Sequence, residues 1–170
     1  MAYQANQKRF RPRSTVTIAE ELRGEQHNLY SKILVGIDGS DSSRRALEHA
    51  LFLEEKCGSS VTAVHIVSVP PSIYGDSPNA ALKLLERLER NGHEILRGAK
   101  ELAEARNLVI TTVMIERADP ADELLKLGDR GKYDLIVLGS RGLNSIKKFL
   151  LGSTASKVSE HAKCPVLTVK

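Results

Sequence analysis

At 170 residues, 41% apolar and 27% charged, the chain has the length and balance of one globular domain with room for a full core. A net charge of +4 spread along the chain, 4% aromatics and no tryptophan argue against a nucleic-acid surface, which needs concentrated cations or stacking platforms. No run of 18 apolar residues occurs and the N-terminus is polar, so neither a membrane span nor a secretory leader is predicted, and a cytoplasmic location is expected.

Residues 1–30 read as an N-terminal extension, polar and without apolar period. Its basic cluster "KRFRPR" (8–13) reads as a solvated tail rather than an arm for nucleic acid or acidic lipid. Thr17 with Glu20 three residues later has the capping-box spacing of a short helix.

From Lys32 apolar strands and amphipathic helices alternate. "KILVGID" is a buried strand, and "SSRRALEHALFLEEKCG" a helix with Ala46, Leu47, Ala50 and Leu51 on period, closed by Gly58. "SVTAVHIVS" is the second strand, followed by a long loop, "VPPSIYGDSPN", with three prolines. Ser77 or Asn79 caps a long helix whose apolar face is Leu82, Leu85, Leu88, Ile95, Ala99 and Leu102, with Gly92 and Gly98 tolerated inside it. The third strand is "LVITTVMIE" (108–116). Asp119 and Pro120 make a good helix start for "DPADELLKLGDRG". "YDLIVLG" is the fourth strand, "STASKVSEHAK" a helix and "CPVLTVK" the fifth strand. The order β-α-β-α-β-α-β-α-β predicts an α/β fold, a parallel sheet with helices on both faces, over 31–170. Ligands of such sheets gather beyond the C-terminal strand ends, where the strand order reverses.

The fourth strand runs into Gly139, two residues, Gly142, nine residues, Gly152, then Ser153 and Thr154. This is neither a P-loop, which needs a lysine after its second glycine, nor G-x-G-x-x-G, which "GIDGSD" lacks at the first strand. Glycines let an anion approach the backbone, and a helix starting at Gly152–Thr154 would turn unpaired N–H groups toward it. The plainer alternative is that Gly139 and Gly142 turn the chain and Ser153 is an N-cap. Asp38 likewise reads either as a site carboxylate or as a turn residue in an Asp-Gly step.

The pattern G-x2-G-x9-G-S at Gly139, Gly142, Gly152 and Ser153 resembles the ATP-binding signature of universal stress proteins, and "KILVGIDGSDSSRRALEHAL" and "CPVLTVK" resemble that family's first and last elements. The resemblance covers about residues 31–170. It implies the adenine nucleotide alpha hydrolase-like fold, a five-stranded sheet of order 3-2-1-4-5, with Asp38 and Gly139 facing each other across the reversal.

It also implies site roles. Asp38, Ile66 and Val67 would take the adenosine part, Gly139 and Gly142 the ribose and first phosphates, and Gly152, Ser153 and Thr154 the polyphosphate. Gly36, Ile37, Leu138, Ser140 and Arg141 complete the implied nucleotide-binding set. A carboxylate repels a triphosphate, which puts Asp38 at the nucleoside end or facing a metal. Gly36 stands where many relatives have proline. The implied ligand is ATP, with AMP or ADP as alternatives, carried with Mg. Lys147 and Lys148 read equally as phosphate partners or as an exposed turn.

The function expected is a nucleotide-dependent regulatory or stress-response module. No placed general base, P-loop lysine or metal-binding carboxylate pair is apparent, so turnover should be slow or absent. The alternatives are a nucleotide-free dimeric interaction protein and an adenylating enzyme. The latter would carry S-G-G-x-D-S after the first strand, and "DGSDSS" (38–43) lacks the paired glycines. An apolar edge strand, Val166 to Lys170, predicts a homodimer, unless "TVTI" (15–18) covers it. His27, His49, His65, His93 and His161 are scattered and suggest no metal set. Cys57 and Cys164 read as buried thiols without a disulfide or zinc pattern.

Overall fold

The computed structural model describes residues 29–69, 73, 77–116, 119–142 and 151–170. The expected Thr17 capping box, the basic cluster, the "TVTI" stretch, His27, Lys147 and Lys148, and most of the proline-rich loop lie outside them.

The chain runs β1 (Lys32–Gly36), α1 (Asp41–Cys57), β2 (Ser60–Val67), α2 (Pro78–Glu104), β3 (Thr111–Glu116), α3 (Pro120–Arg130), β4 (Leu135–Gly139), α4 (Ser153–His161) and β5 (Val166–Val169). The strands form one sheet of order β3-β2-β1-β4-β5, with every neighbouring pair parallel. The expected fold class and strand order are both present. The order reverses between β1 and β4.

Strand alternation feeds two cores. Ile33 and Val35 pack with Ala46, Leu47, Ala50 and Leu51 of α1 and with Leu96 and Ala99 of α2. Leu34, Val64 and Ile136 point the other way, toward Leu124 of α3 and Val158 of α4. Each valine, leucine or isoleucine among them contributes about 1.5–3 kcal/mol on burial. Covered on both faces, β1 and β4 need to be apolar throughout. Among the described residues no helix is long and apolar enough to cross a membrane.

Helix ends follow local chemistry. Ser40, Ser77 and Asp119 each accept a backbone N–H of the first turn of α1, α2 and α3. Gly58, at φ 68°, closes α1 in the left-handed region.

Four expectations need correction. The third strand begins at Thr111, because the chain leaves α2 through Asn107 at φ 58° and leaves Val109 89% exposed. Leu82 is exposed. The 27-residue α2 is about 40 Å long, whereas the eight residues of β2 span about 26 Å, so the first turns of α2 overhang the sheet. Gly92 is required rather than tolerated: a Cβ there would stand 2.8 Å from His65 Cδ2 and 3.0 Å from Met114 Sδ. Finally, Cys57 is exposed at the last turn of α1, and Cys164 is half-buried, with burial pushing its thiol pKa up.

Candidate functional site

A cleft of about 570 Å³ opens at the C-terminal ends of β1 and β4, at the reversal of strand order. Of the residues assigned to the nucleotide site from the sequence, all but Ser140 line it. Ser140 is buried: its N–H donates to the Val169 carbonyl and its carbonyl accepts from Gly152 N at 2.8 Å. It ties β4 to β5 and anchors the start of α4.

One wall is the turn after β1. The strand ends at Gly36, so Asp38 lies two residues beyond it rather than closing it. Asp38 Oδ1 accepts from Ser40 N at 3.0 Å and from Ser40 Oγ at 2.6 Å. Across the cleft Asp38 faces Gly142, not Gly139, since a Cβ on Gly142 would stand 2.8 Å from Asp38 Oδ2.

Gly139 meets α1 instead. A Cβ on it would lie 2.7 Å from both Ser42 Oγ and Ser43 N. The Ser42 hydroxyl donates to the Arg141 carbonyl, so the first turn of α1 is fastened to the segment that follows β4. At Gly36 the space of a missing side chain is filled from β4, where Leu138 Cδ2 would meet a Cβ at 2.6 Å.

The opposite wall is the start of α4. Its N-cap is Gly152, not Ser153, and no side chain caps the helix. Gly152, Ser153 and Thr154 all line the cleft. The backbone N–H groups of this turn carry the positive end of the helix dipole, worth about 0.3–1 kcal/mol to an anion and up to about 2 when partly buried.

The floor and far rim were not foreseen. Val64, His65 and Ser68 come from β2 and the residue after it, Leu88 and Asn91 from α2, and Asp119, Pro120 and Leu124 from the α3 end. The Asp119–Pro120 helix start was visible in the sequence, and its place after β3 puts it on the ligand-bearing rim. Leu88 and Asn91 lie mid-helix, and only packing of α2 on β2 reveals them. His65 is 8% exposed, with Nδ1 2.8 Å from the Ile37 carbonyl.

The charges are mixed. Asp38, Asp119 and Arg141 are the formally charged side chains lining the cleft among the described residues. The Asp122 N–H donated to Asp119 holds that carboxyl below its usual range, with Lys157 adding to the effect. Lys157 bridges Asp119 and Asp122 at 3.5 and 2.7 Å, and its pKa rises chiefly through the Asp122 contact. This lysine joins α4 to α3. Among the described residues no three His, Cys, Asp or Glu side chains gather as a metal site.

Comparison with known proteins agrees with this architecture. The universal stress protein family matches residues 29–170. A universal stress protein of Methanocaldococcus jannaschii is 37% identical over 143 residues, covering 84% of each chain. The structure of one from Lactobacillus plantarum superposes with a TM-score of 0.72 at 25% identity, over 83% of this chain and 98% of that one. Another universal stress protein, solved in complex with cAMP, gives a TM-score of 0.64 at 29% identity, over 84% of this chain and 98% of the other. The chain belongs to the universal stress protein family.

Proposed function

We propose that the cleft binds an adenine nucleotide, ATP with Mg, and that the protein acts as a nucleotide-dependent regulatory module in a stress response. The observation that carries this reading is the start of α4. Alone among the four described helices it lacks a side-chain cap, and Gly152, Ser153 and Thr154 border a cleft at the strand-order reversal. Unpaired N–H groups with two hydroxyls beside them suit a phosphate chain. The family member solved with cAMP supports an adenine nucleotide as the ligand class.

In this reading Asp38, Ile66 and Val67 hold the nucleoside, Arg141 and Gly142 the ribose and first phosphate, and Gly152–Thr154 the outer phosphates. Gly139 acts indirectly, by letting α1 close against β4. Magnesium would neutralise part of the phosphate charge when bound. Among the described residues no side chain of the cleft resembles an activated base for water, so in this reading the nucleotide serves as a signal and is turned over slowly or not at all.

Mass spectrometry of the small molecule released on denaturing freshly purified protein tests the reading. Adenine nucleotide should appear, and ATP-Mg at about 100 times its Kd should add about 2.7 kcal/mol of stability. No nucleotide, together with no thermal shift at millimolar ATP-Mg, would sink it.

We also propose a homodimer through β5. This strand forms one edge of the sheet, and Leu167 on it is 37% exposed. A monomer in sedimentation at micromolar concentration would refute the pairing.

A further inference from the structure

The β1–β2 ladder stops one bond short of where its register would carry it. Gly36 lies opposite Val64, and the Ile37 N–H still donates to the Val64 carbonyl at 2.9 Å. In a regular parallel ladder the next bond would run from the Ile66 N–H to the Ile37 carbonyl. That carbonyl meets a side chain instead, with His65 Nδ1 at 2.8 Å. A carbonyl only accepts, so Nδ1 carries the proton and, in the neutral ring, Nε2 is left as an acceptor.

The ring is held in place. His65 is buried, and α2 passes it at Gly92, where a Cβ would stand 2.8 Å from His65 Cδ2. A side chain at position 92 would crowd both the ring and Met114 Sδ. Just beyond Ile37 the chain turns through Gly39 at φ 85°, which carries Asp38 toward Gly142.

Peptide groups along a strand face alternate sides, so the Ile66 peptide faces the same way as that of Val64. That is the side from which β1 has departed, and Ile66 and Val67 line the cleft there. We propose that His65 is a positioning residue for the nucleoside half of the cleft. Its Nδ1–H takes the Ile37 carbonyl out of the ladder, holds the turn from Ile37 into Asp38, and leaves the Ile66 peptide edge open to the hydrogen-bonding rim of a base. This rests on the nucleotide reading above and assigns His65 no contact with the ligand.

The test titrates the full chain and three variants with ATP-Mg and, separately, with inorganic tripolyphosphate-Mg. His65→Asn keeps an N–H donor near the Nδ1 position, His65→Gln moves it outward, and His65→Leu removes it. The Gln and Leu variants should bind ATP about 3- to 10-fold more weakly, the effect of one hydrogen bond. Their tripolyphosphate affinity should be unchanged, and the Asn variant should retain ATP affinity. Equal losses for both probes, or an Asn variant no better than Leu, would overturn the assignment.

Nitrogen-15 NMR of the nucleotide-free protein reads the same device without a ligand. The His65 ring should be the Nδ1–H tautomer, and the Ile66 amide should exchange faster than that of Val64. If the wild type binds ATP while His65 is the Nε2–H tautomer or the Ile66 amide is protected, this assignment alone falls. If the wild type binds neither probe, the nucleotide reading and the assignment fall together.

Discussion

Three helices begin at the cleft, and the first turns of two of them, α1 and α4, are opposite in character. At α1 the polar groups are internally engaged. Ser40 caps the helix, its N–H and hydroxyl reach Asp38, Ser42 is bonded to the Arg141 carbonyl, and the backbone presses on Gly139. At α4 no side chain caps the turn, and a Cβ on Gly152 would find its nearest neighbour, the Ser140 carbonyl oxygen, at an ordinary 3.4 Å. The glycines of one motif therefore exist for different reasons. Gly139 is demanded by the protein's own packing, whereas nothing in the described residues forbids a side chain at Gly152.

The sharpest break of this comparison is Gly152→Asp. Asp is a favoured N-cap, and the space accepts its Cβ, so the thermal midpoint should stay level or rise by a degree or so. Its carboxylate would sit where the phosphates are proposed to lie. Two like charges about 4 Å apart at an effective dielectric near 20 repel by about 4 kcal/mol, so ATP affinity should fall by about 100-fold or more in calorimetry. Undiminished affinity would move the phosphates away from α4.

Gly139→Ala should show the converse pattern. The added methyl meets backbone atoms of Ser42 and Ser43, which cannot rotate aside. Overpacking of that kind costs about 1–3 kcal/mol, read as a lower denaturant midpoint at unchanged slope. The loss of ATP affinity should be smaller than for Gly152→Asp. If Gly139→Ala were as stable as the wild type, Gly139 would no longer be distinguished from Gly152 by packing.

What could be read in the sequence divides along the same line. Strand positions and most helix ends are local matters of period and capping: Ile33–Val35, the Ser77 and Asp119 caps and Gly58 each announce themselves, whereas the strand order came only with the family resemblance. The glycine segment showed by spacing that something approaches a backbone, but not what. That Gly139 faces α1 while Gly142 faces Asp38 depends on contacts about 100 residues apart in the chain. Leu82 failed for a related reason, since helical period does not tell how far a sheet extends beneath the helix. His65 looked like an ordinary strand histidine because its partner, the Ile37 carbonyl, becomes available only where β1 leaves the ladder.

The contrast between the two first turns can be sharpened from the far end of α1, where the engaged chemistry of its start gives way. Glu54 in the last turn has one carboxylate oxygen, Oε2, buried without a hydrogen-bond partner among the described residues, and burial raises its pKa. A carboxyl raised by folding stabilises the protein fully below its unfolded pKa, and that stabilisation is lost as pH rises through the folded value. At neutral pH the charged form of Glu54 therefore works against the fold. Because the side chain is only partly buried, the effect should stay below about 1 kcal/mol. In Glu54→Gln the stability decline between the unfolded carboxyl pKa and neutrality should be shallower than in the wild type, measured by urea unfolding across that window. ATP affinity should not change, because the substitution lies about four turns from Ser40 and the first turn of α1 is fixed by its own contacts. A change in ATP affinity without any change in the pH profile would mean that α1 transmits strain along its axis, and that its first turn is less firmly anchored than its hydrogen bonds imply.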